Sequence, residues 1–296
     1  MVALVTGAAG FLGGAISKRL ADSGWEVVHA GRPHCEIPSP VFGSLLADST
    51  PELIVHCAGP ASVADSVACP GADFTGSAGV LASVLDDARR LADPPRFLLL
   101  SSAAVYGDPQ SLPVAERQPL RPVSPYGYHR VACEQLLREY LDLFGVPAAS
   151  MRIFSAYGEG LSRQILWDAC RMGIEHGIIT LHGTGLESRD FIHVDDVAEA
   201  ALRIVDGGAF ECEPYNVGSG SETTIAELAE LVRVDLGLPS GAVSFGGDAR
   251  AGDPLNWRAD ISRLRALGFR PSMAIEDGVS AYTRWARGAV VAATAV

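Results

Sequence analysis

The chain has 296 residues, enough for one large or two interleaved domains, and 48% hydrophobic against 20% charged residues is an ordinary globular balance. A net charge of −12 argues against general affinity for nucleic acid or an anionic membrane, though not against a phosphate-bearing small molecule held by local dipoles and arginines. No apolar run reaches the ~18 residues of a membrane span, and six scattered cysteines without a CxxC pair predict buried thiols in a reducing cytoplasm.

In chain order, short apolar runs at 2–6, 26–30, 53–57, 96–100 and 148–152 read as buried parallel strands. A strand starting at Val2 leaves no room for a signal peptide. Helices are expected near 11–23, 74–93 and 126–144, with Gly24 ending the first as its C′ residue. This alternation predicts an α/β fold with a doubly wound parallel sheet. In the helix from Tyr126, the residues Cys133, Leu136, Leu137, Tyr140 and Leu141 form an apolar stripe, for core packing or for a helix-pair dimer interface. After about Phe154, glycine and proline become frequent and the pattern turns irregular, which predicts a smaller, loop-rich lobe. A helix near 196–206 and a strand at 215–217 are expected to return to the main sheet. A helix at 224–236 follows, capped by Thr223 or Thr224. The boundaries drawn are 1–155 with 193–217 for a dinucleotide domain, and 156–192 with 218–296 for a substrate domain. The apolar tail from Gly288 reads as frayed or locally packed.

Two constellations carry chemistry. Gly7, Gly10 and Gly13 stand between the first strand and the first helix. There Gly7 permits a tight turn, Gly10 lets backbone approach a pyrophosphate, and Gly13 lets helix and strand pack closely. The helix start offers N–H groups to the anion. The second strand ends at Gly31 and Arg32 with no acid for a ribose 2′-hydroxyl. NAD and NADP both stay open, and Arg32 favours the 2′-phosphate. Tyr126 and Arg130 lie one helical turn apart, so phenol and cation share a face and the cation favours the phenolate. Ser102, at the carboxyl end of a central strand, stands where open α/β sheets bind ligands.

Together with Ser101-Ser-Ala-Ala-Val-Tyr-Gly107, Arg152-Ile-Phe-Ser-Ala-Tyr-Gly158, Arg189-Asp-Phe-Ile-His-Val-Asp-Asp196 and Tyr215-Asn-Val-Gly-Ser-Gly220, these residues resemble the extended short-chain dehydrogenase/reductase family. The resemblance is to its nucleotide-sugar epimerase/dehydratase branch and covers nearly the whole chain. It implies a Rossmann sheet, a nucleotide-diphosphate sugar as substrate, and a cytoplasmic homodimer. By resemblance Ser102 binds the sugar O4 and Tyr126 takes its proton. Arg130 stands where the family has a lysine that binds the nicotinamide ribose, keeping the charge but losing any relay through an amine. The cofactor residues so implied are Gly7, Gly10, Phe11, Leu12, Gly13, Arg32 and Ala58, with Tyr126 and Arg130. The substrate residues are Ser102, Ala103, Ser155, Arg189 and Arg250, the two arginines facing the diphosphate. Ion pairs of Arg189 with Asp190 and of Arg250 with Asp253 are the plainer alternatives. Gln164 and Trp167 are candidates for the pocket wall, and His129 reads as a surface residue.

Departures from the family sharpen the reading. Ala103 and Ala104 stand where 4,6-dehydratases carry an acidic pair, Gly76 replaces an asparagine, and Glu159 a proline. The leading expectation is 4-epimerisation of a nucleotide-linked hexose. The alternatives are an NADPH-dependent 4-keto-sugar reductase, a dehydratase or decarboxylase using transient C4 oxidation, and a cofactor-binding sensor with impaired catalysis.

Overall fold

Parallel neighbours need crossover connections, and the first half of the chain supplies them. In the computed structural model, which describes residues 1–247 and 255–294, β1 (Val2–Thr6) leads to α1 (Phe11–Asp22) and β2 (Glu26–Ala30) to α2 (Pro40–Ser49). After β3 (Leu53–His56) come α3 (Val63–Ala68), α4 (Pro70–Phe74), a π-helical turn at Thr75–Gly79, and α5 (Val80–Ala88). β4 (Arg96–Ser102) passes through a 3₁₀ turn at Ala103–Val105 to α6 (Pro125–Phe144) and β5 (Ala148–Ile153). The elements then shorten: β6 (Ser155–Tyr157), α7 (Gln164–His176), β7 (Ile179–Leu181), β8 (Ser188–Arg189) and β9 (Phe191–His193). α8 (Val194–Gly207) and β10 (Glu211–Val217) precede β11 (Thr223–Thr224), α9 (Ile225–Leu236), β12 (Val243–Phe245), α10 (Ser262–Ala266) and α11 (Ile275–Thr294).

The main sheet runs β10-β5-β4-β3-β1-β2, every pair parallel. The chain moves outward from β1 to β2 and then crosses to β3 on the other side of β1. That reversal opens a crevice outside the carboxyl ends of β1 and β3. β6–β9, β7–β12 and β8–β11 form separate two-stranded pairs beyond it.

One face of the sheet is covered by α1 and α8, whose Ile16, Leu20, Val197 and Ala201 are buried. On the other, Phe42, Leu81, Leu85 and Leu137 come from α2, α5 and α6. Fully burying such side chains contributes roughly 1.5–3 kcal/mol each. A third cluster joins α7, α9 and α11 through Leu166, Ala169, Leu228, Val232, Val279 and Tyr282. Ala259, Ile261, Leu264 and Phe269 pack on the first cluster, so the chain beyond 218 contributes to both regions.

Several elements differ from expectation. The helix expected at 74–93 starts earlier, at Val63, and comes in pieces. Ser62 caps α3 by accepting from Asp65 N–H, and Pro70 at the first position of α4 interrupts the run. α2 was not expected; Ser39 at its N-cap followed by Pro40 was its signal. The stripe on α6 is used by the core, since Cys133, Leu137 and Tyr140 are buried within this chain and Leu136 packs partly against the same cluster. The cysteines are free thiols, but they are not uniformly buried: Cys69 is exposed. The apolar tail belongs to α11 as far as Thr294, and Val290 is buried. Thr224 caps α9 in a reciprocal box with Glu227, and Gly24 takes a positive φ after α1, both as expected.

Candidate active site

The glycine turn is built for close approach. Gly7 has φ +67°, and a Cβ there would come 2.9 Å from Ala58 N. A methyl at Gly13 would overlap the Gly7 carbonyl oxygen. The first turn of α1 therefore sits against bare backbone, with N–H groups that have no earlier helical partner. Gly7, Gly10, Phe11, Leu12 and Gly13 all line a cleft of about 800 Å³ that continues past β4 and α6. These features fit a dinucleotide. Behind the turn, Thr6 Oγ1 accepts from Cys57 and Ala58 N–H, both at 3.2 Å, and lies 3.0 Å from His56 Nδ1. Burial first, and then the Arg130 charge, push the His56 pKa down to about 3, so this imidazole is neutral.

Ser124 caps α6 by accepting from Gly127 N–H, and Pro125 fills its first position. Gly127 brings the helix close: a Cβ there would be 2.6 Å from Ala104 O. α6 thus lies on the turn that follows Ser102, and Ser102, Tyr126 and Arg130 line the same cleft as the glycines. Ser102 Oγ accepts from Ala104 N–H at 3.2 Å, which caps the turn and leaves the hydroxyl proton and a second lone pair. The Arg130 guanidinium carbon stands 5.0 Å from the Tyr126 ring centroid. Its Nη2 donates to Pro60 O at 2.5 Å and its Nη1 to Leu100 O at 3.3 Å. Burial opposes the Arg130 charge, but attraction to Tyr126 and Cys133 outweighs it and raises the pKa, so the cation does not titrate.

Other shared motifs turn out to be scaffolding. Glu134 of α6 takes Ser101 Oγ at 2.6 Å and Arg152 Nη2 at 2.6 Å. Arg152 Nη1 donates to Tyr106 OH at 2.8 Å, which donates to Asn216 Oδ1 at 2.7 Å. This buried network ties α6 to β4, β5 and β10 and so fixes Tyr126 relative to Ser102.

At the far end of the cleft, Ser155 and Arg189 line the wall. The plainer alternative, an Arg189–Asp190 ion pair, does not form. Arg189 donates to Ser188 O and Leu255 O and lies over Trp257, whose Nε1 donates to Gly107 O at 3.1 Å. Asp190 is fully buried and accepts from Ser219 N–H and O–H, Gly220 N–H and Ala259 N–H. Desolvation raises its pKa to about 6 against the pull of those donors. Gln164 lines the wall with φ +69°, while Trp167 packs against Trp285 at 5.7 Å between ring centroids. His129 is half-buried and bonds Asp73 Oδ1 at 2.7 Å, so it is not a simple surface residue.

Three assigned residues stand off the wall. Ala103 is buried in the core, and Ala104 lines the cleft in its place. Ala58 packs behind Gly7, with its neighbours Cys57 and Gly59 on the wall. Arg32 is exposed just past β2. Arg250 and Asp253 lie outside the described residues. Sequence reading missed Trp257 and the role of Asp190. Although the chain is acidic overall, the wall carries four arginines (Arg130, Arg163, Arg171, Arg189) and two carboxylates (Asp168, Glu187) among the described residues. The Glu187 carboxylate is occupied by Thr184 and Gly185 N–H groups. No group of three or more potential ligands that could hold a metal occurs among the described residues, nor a helix long and apolar enough to cross a membrane.

Comparison with known proteins agrees with this geometry. Residues 3–218 match the NAD dependent epimerase/dehydratase family. A UDP-glucose 4-epimerase from Mycolicibacterium smegmatis is 32% identical over 95% of this chain and 96% of its own. A Thermus thermophilus UDP-glucose 4-epimerase, crystallised with NAD, superposes with a TM-score of 0.86 at 26% identity over 98% of this chain and 100% of its own. A dTDP-glucose 4,6-dehydratase from Streptomyces venezuelae, with NAD bound, also reaches 0.86 at 26% identity, over 97% of each chain. A glycine cradle, a Ser–Tyr pair on one cleft wall and a match over most of the chain have one joint meaning: this protein belongs to the NAD dependent epimerase/dehydratase family and is an NAD-dependent enzyme.

Proposed function

We propose that this enzyme is a nucleotide-sugar 4-epimerase. The observation that carries the choice is the turn after Ser102. Ala104 faces the cleft and Ala103 is buried, so no carboxylate stands there to assist an elimination.

Gly7, Gly10, Phe11, Leu12 and Gly13 would hold the dinucleotide, and NAD when bound supplies the group that accepts and returns hydride at sugar C4. The Tyr126 phenolate takes the O4 proton and later gives it back. Ser102 orients O4 through its free proton or lone pair. Arg130 supplies fixed positive charge beside the phenol. Arg189, on the cleft wall beside Trp257, would meet the diphosphate, as would Arg250. Ser155 faces the sugar. Residues 1–155 with 193–217 serve the cofactor, and 156–192 with 218–296 the nucleotide sugar. Arg32, past β2, would meet the adenosine ribose.

The six free thiols support a cytoplasmic enzyme. Exposed Phe74 and Tyr128 support a homodimer through this edge of α4 and α6; a monomeric mass by light scattering contradicts it.

Incubation with UDP- or dTDP-hexoses, followed by proton NMR and absorbance at 340 nm, tests the reaction. The expected result is the C4 epimer with no net change in NADH. Net consumption of NADPH, or a 6-deoxy-4-keto product, overturns it.

A further inference from the structure

Arg130 does more than replace one cation by another. Its two terminal nitrogens bond carbonyls on two separate segments: Pro60, on the loop after β3, and Leu100, two residues before Ser102 on β4. Cys57, Gly59 and Ala61 of that loop line the cleft, as do Leu100, Ser102 and Tyr126. The guanidinium thus joins three parts of the wall, and it is 7% exposed.

Space for it comes from two glycines. Gly59 has φ +141°, a conformation L side chains rarely adopt, and a Cβ there would be 3.7 Å from Arg130 Nη2 and 3.4 Å from Gly76 O. Gly76 lies in the π-helical turn, where a Cβ would stand 3.0 Å from Pro60 Cγ and 3.2 Å from its Cδ. Any side chain at 76 therefore pushes on the residue whose carbonyl receives the arginine. Lysine does not reproduce this arrangement, because its three donors all sit on one nitrogen of a shorter stem, whereas the planar fork places two separate nitrogens against the two carbonyls.

We propose that Arg130, Gly59 and Gly76 act as one interlocking unit, in which Arg130 is a positioning residue holding the 57–61 loop against β4 and so shaping the cofactor wall beside Tyr126. The unit rests on reading the cleft as the NAD site. It explains why lysine at 130 and a larger residue at 76 are both absent from this chain.

The test is a double-mutant cycle on NAD affinity, measured by equilibrium titration of cofactor-free protein. Arg130→Lys and Gly76→Ala each weaken NAD binding about tenfold, and the double variant is no weaker than the worse single one, because both release the same loop. Arg130→Met weakens binding as much as Arg130→Lys, since charge alone does not hold Pro60. Gly79→Ala, in the same π turn but with its nearest contact at an ordinary 3.8 Å from Thr75 Cγ2, leaves affinity within about twofold. Independent, multiplicative losses overturn the proposal, as does tight binding rescued by lysine.

Hydrogen exchange reads the unit without cofactor. Gly76→Ala must speed exchange in residues 57–61, and unchanged exchange there contradicts the interlock even if Arg130→Lys does not fold. Failure of wild-type protein to bind NAD counts against the site assignment, whereas additive effects on a working NAD site count against the interlock alone.

Discussion

The sheet lobe and the loop-rich lobe both rely on glycine, but for different reasons. At the glycine turn and the start of α6, the space a side chain would need is taken by backbone. Gly7 faces Ala58 N, Gly13 faces Gly7 O and Gly127 faces Ala104 O. In the second lobe it is taken by side chains. Gly173 faces Leu236 and Leu238, Gly185 faces the Phe245 ring, and Gly278 faces the Tyr157 hydroxyl. Backbone cannot be repacked by mutation, whereas side chains can. On the proposed division, the first lobe would be a fixed frame for the cofactor, and the second a surface whose shape can change with the substrate.

That contrast can be broken by substitution. Gly13→Ala should be the most damaging change, costing about 3 kcal/mol or more of stability together with NAD binding, and no second-site change of a side chain should rescue it. Retained NAD affinity in that variant would remove the frame from the account. Gly278→Ala should cost about 2 kcal/mol in thermal or denaturant unfolding and leave NAD binding intact. Here rescue is expected. Tyr157 OH is buried without a hydrogen-bond partner, so Tyr157→Phe alone costs little. Combined with Gly278→Ala it should recover part of the loss, since the ring carbon Cζ would still lie 2.8 Å from the new methyl. A double variant no better than the single one contradicts the second half of the comparison.

The two regions also differ in the sign of their pH dependence, a smaller effect. His56 has a folded pKa of about 3, below its ordinary 6.5. The unfolded chain then takes the proton first, and stability contributed by neutral His56 is present above pH 6.5 and lost as pH falls toward 3. The limiting slope is about 1.4 kcal/mol per pH unit. Asp190 has a folded pKa near 6, above its ordinary 3.8. The folded state holds that proton more tightly, so its contribution is full below pH 3.8 and lost as pH rises to 6. Unfolding free energies measured from pH 4 to 7 should therefore rise more steeply in Asp190→Asn and less steeply in His56→Gln than in the parent. Identical slopes in all three would show that neither group is held as described.

What sequence could and could not show follows the same division. The glycine turn, Ser102 and the Tyr126 helix were legible because each depends on residues a few positions apart. The strands expected at 2–6, 26–30, 53–57 and 148–152 fall within a residue of those observed, since fully buried parallel strands read as plain apolar runs, while β4 runs two residues further and β10 starts four residues earlier than expected. Trp257 was invisible because its partner Gly107 is 150 positions away. An Arg189–Asp190 pair was the plainer alternative because the two are adjacent, but neighbours along an extended segment point to opposite sides. Asp190 instead turns inward to bond Ser219, Gly220 and Ala259, positions that no local pattern links to it. Arg130 was visible as an anomaly at a lysine position. Its tie to Pro60, and through Pro60 to Gly76, needed the fold.

Everything functional depends on the Tyr126 oxygen acting as the base at sugar O4 inside an NAD site. The direct measurement is kcat on the preferred nucleotide sugar alongside NAD affinity in Tyr126→Phe. The expected result is a fall in kcat of about 10³-fold, with the NAD dissociation constant within about twofold of the parent. Turnover near the parent value in that variant would contradict the account.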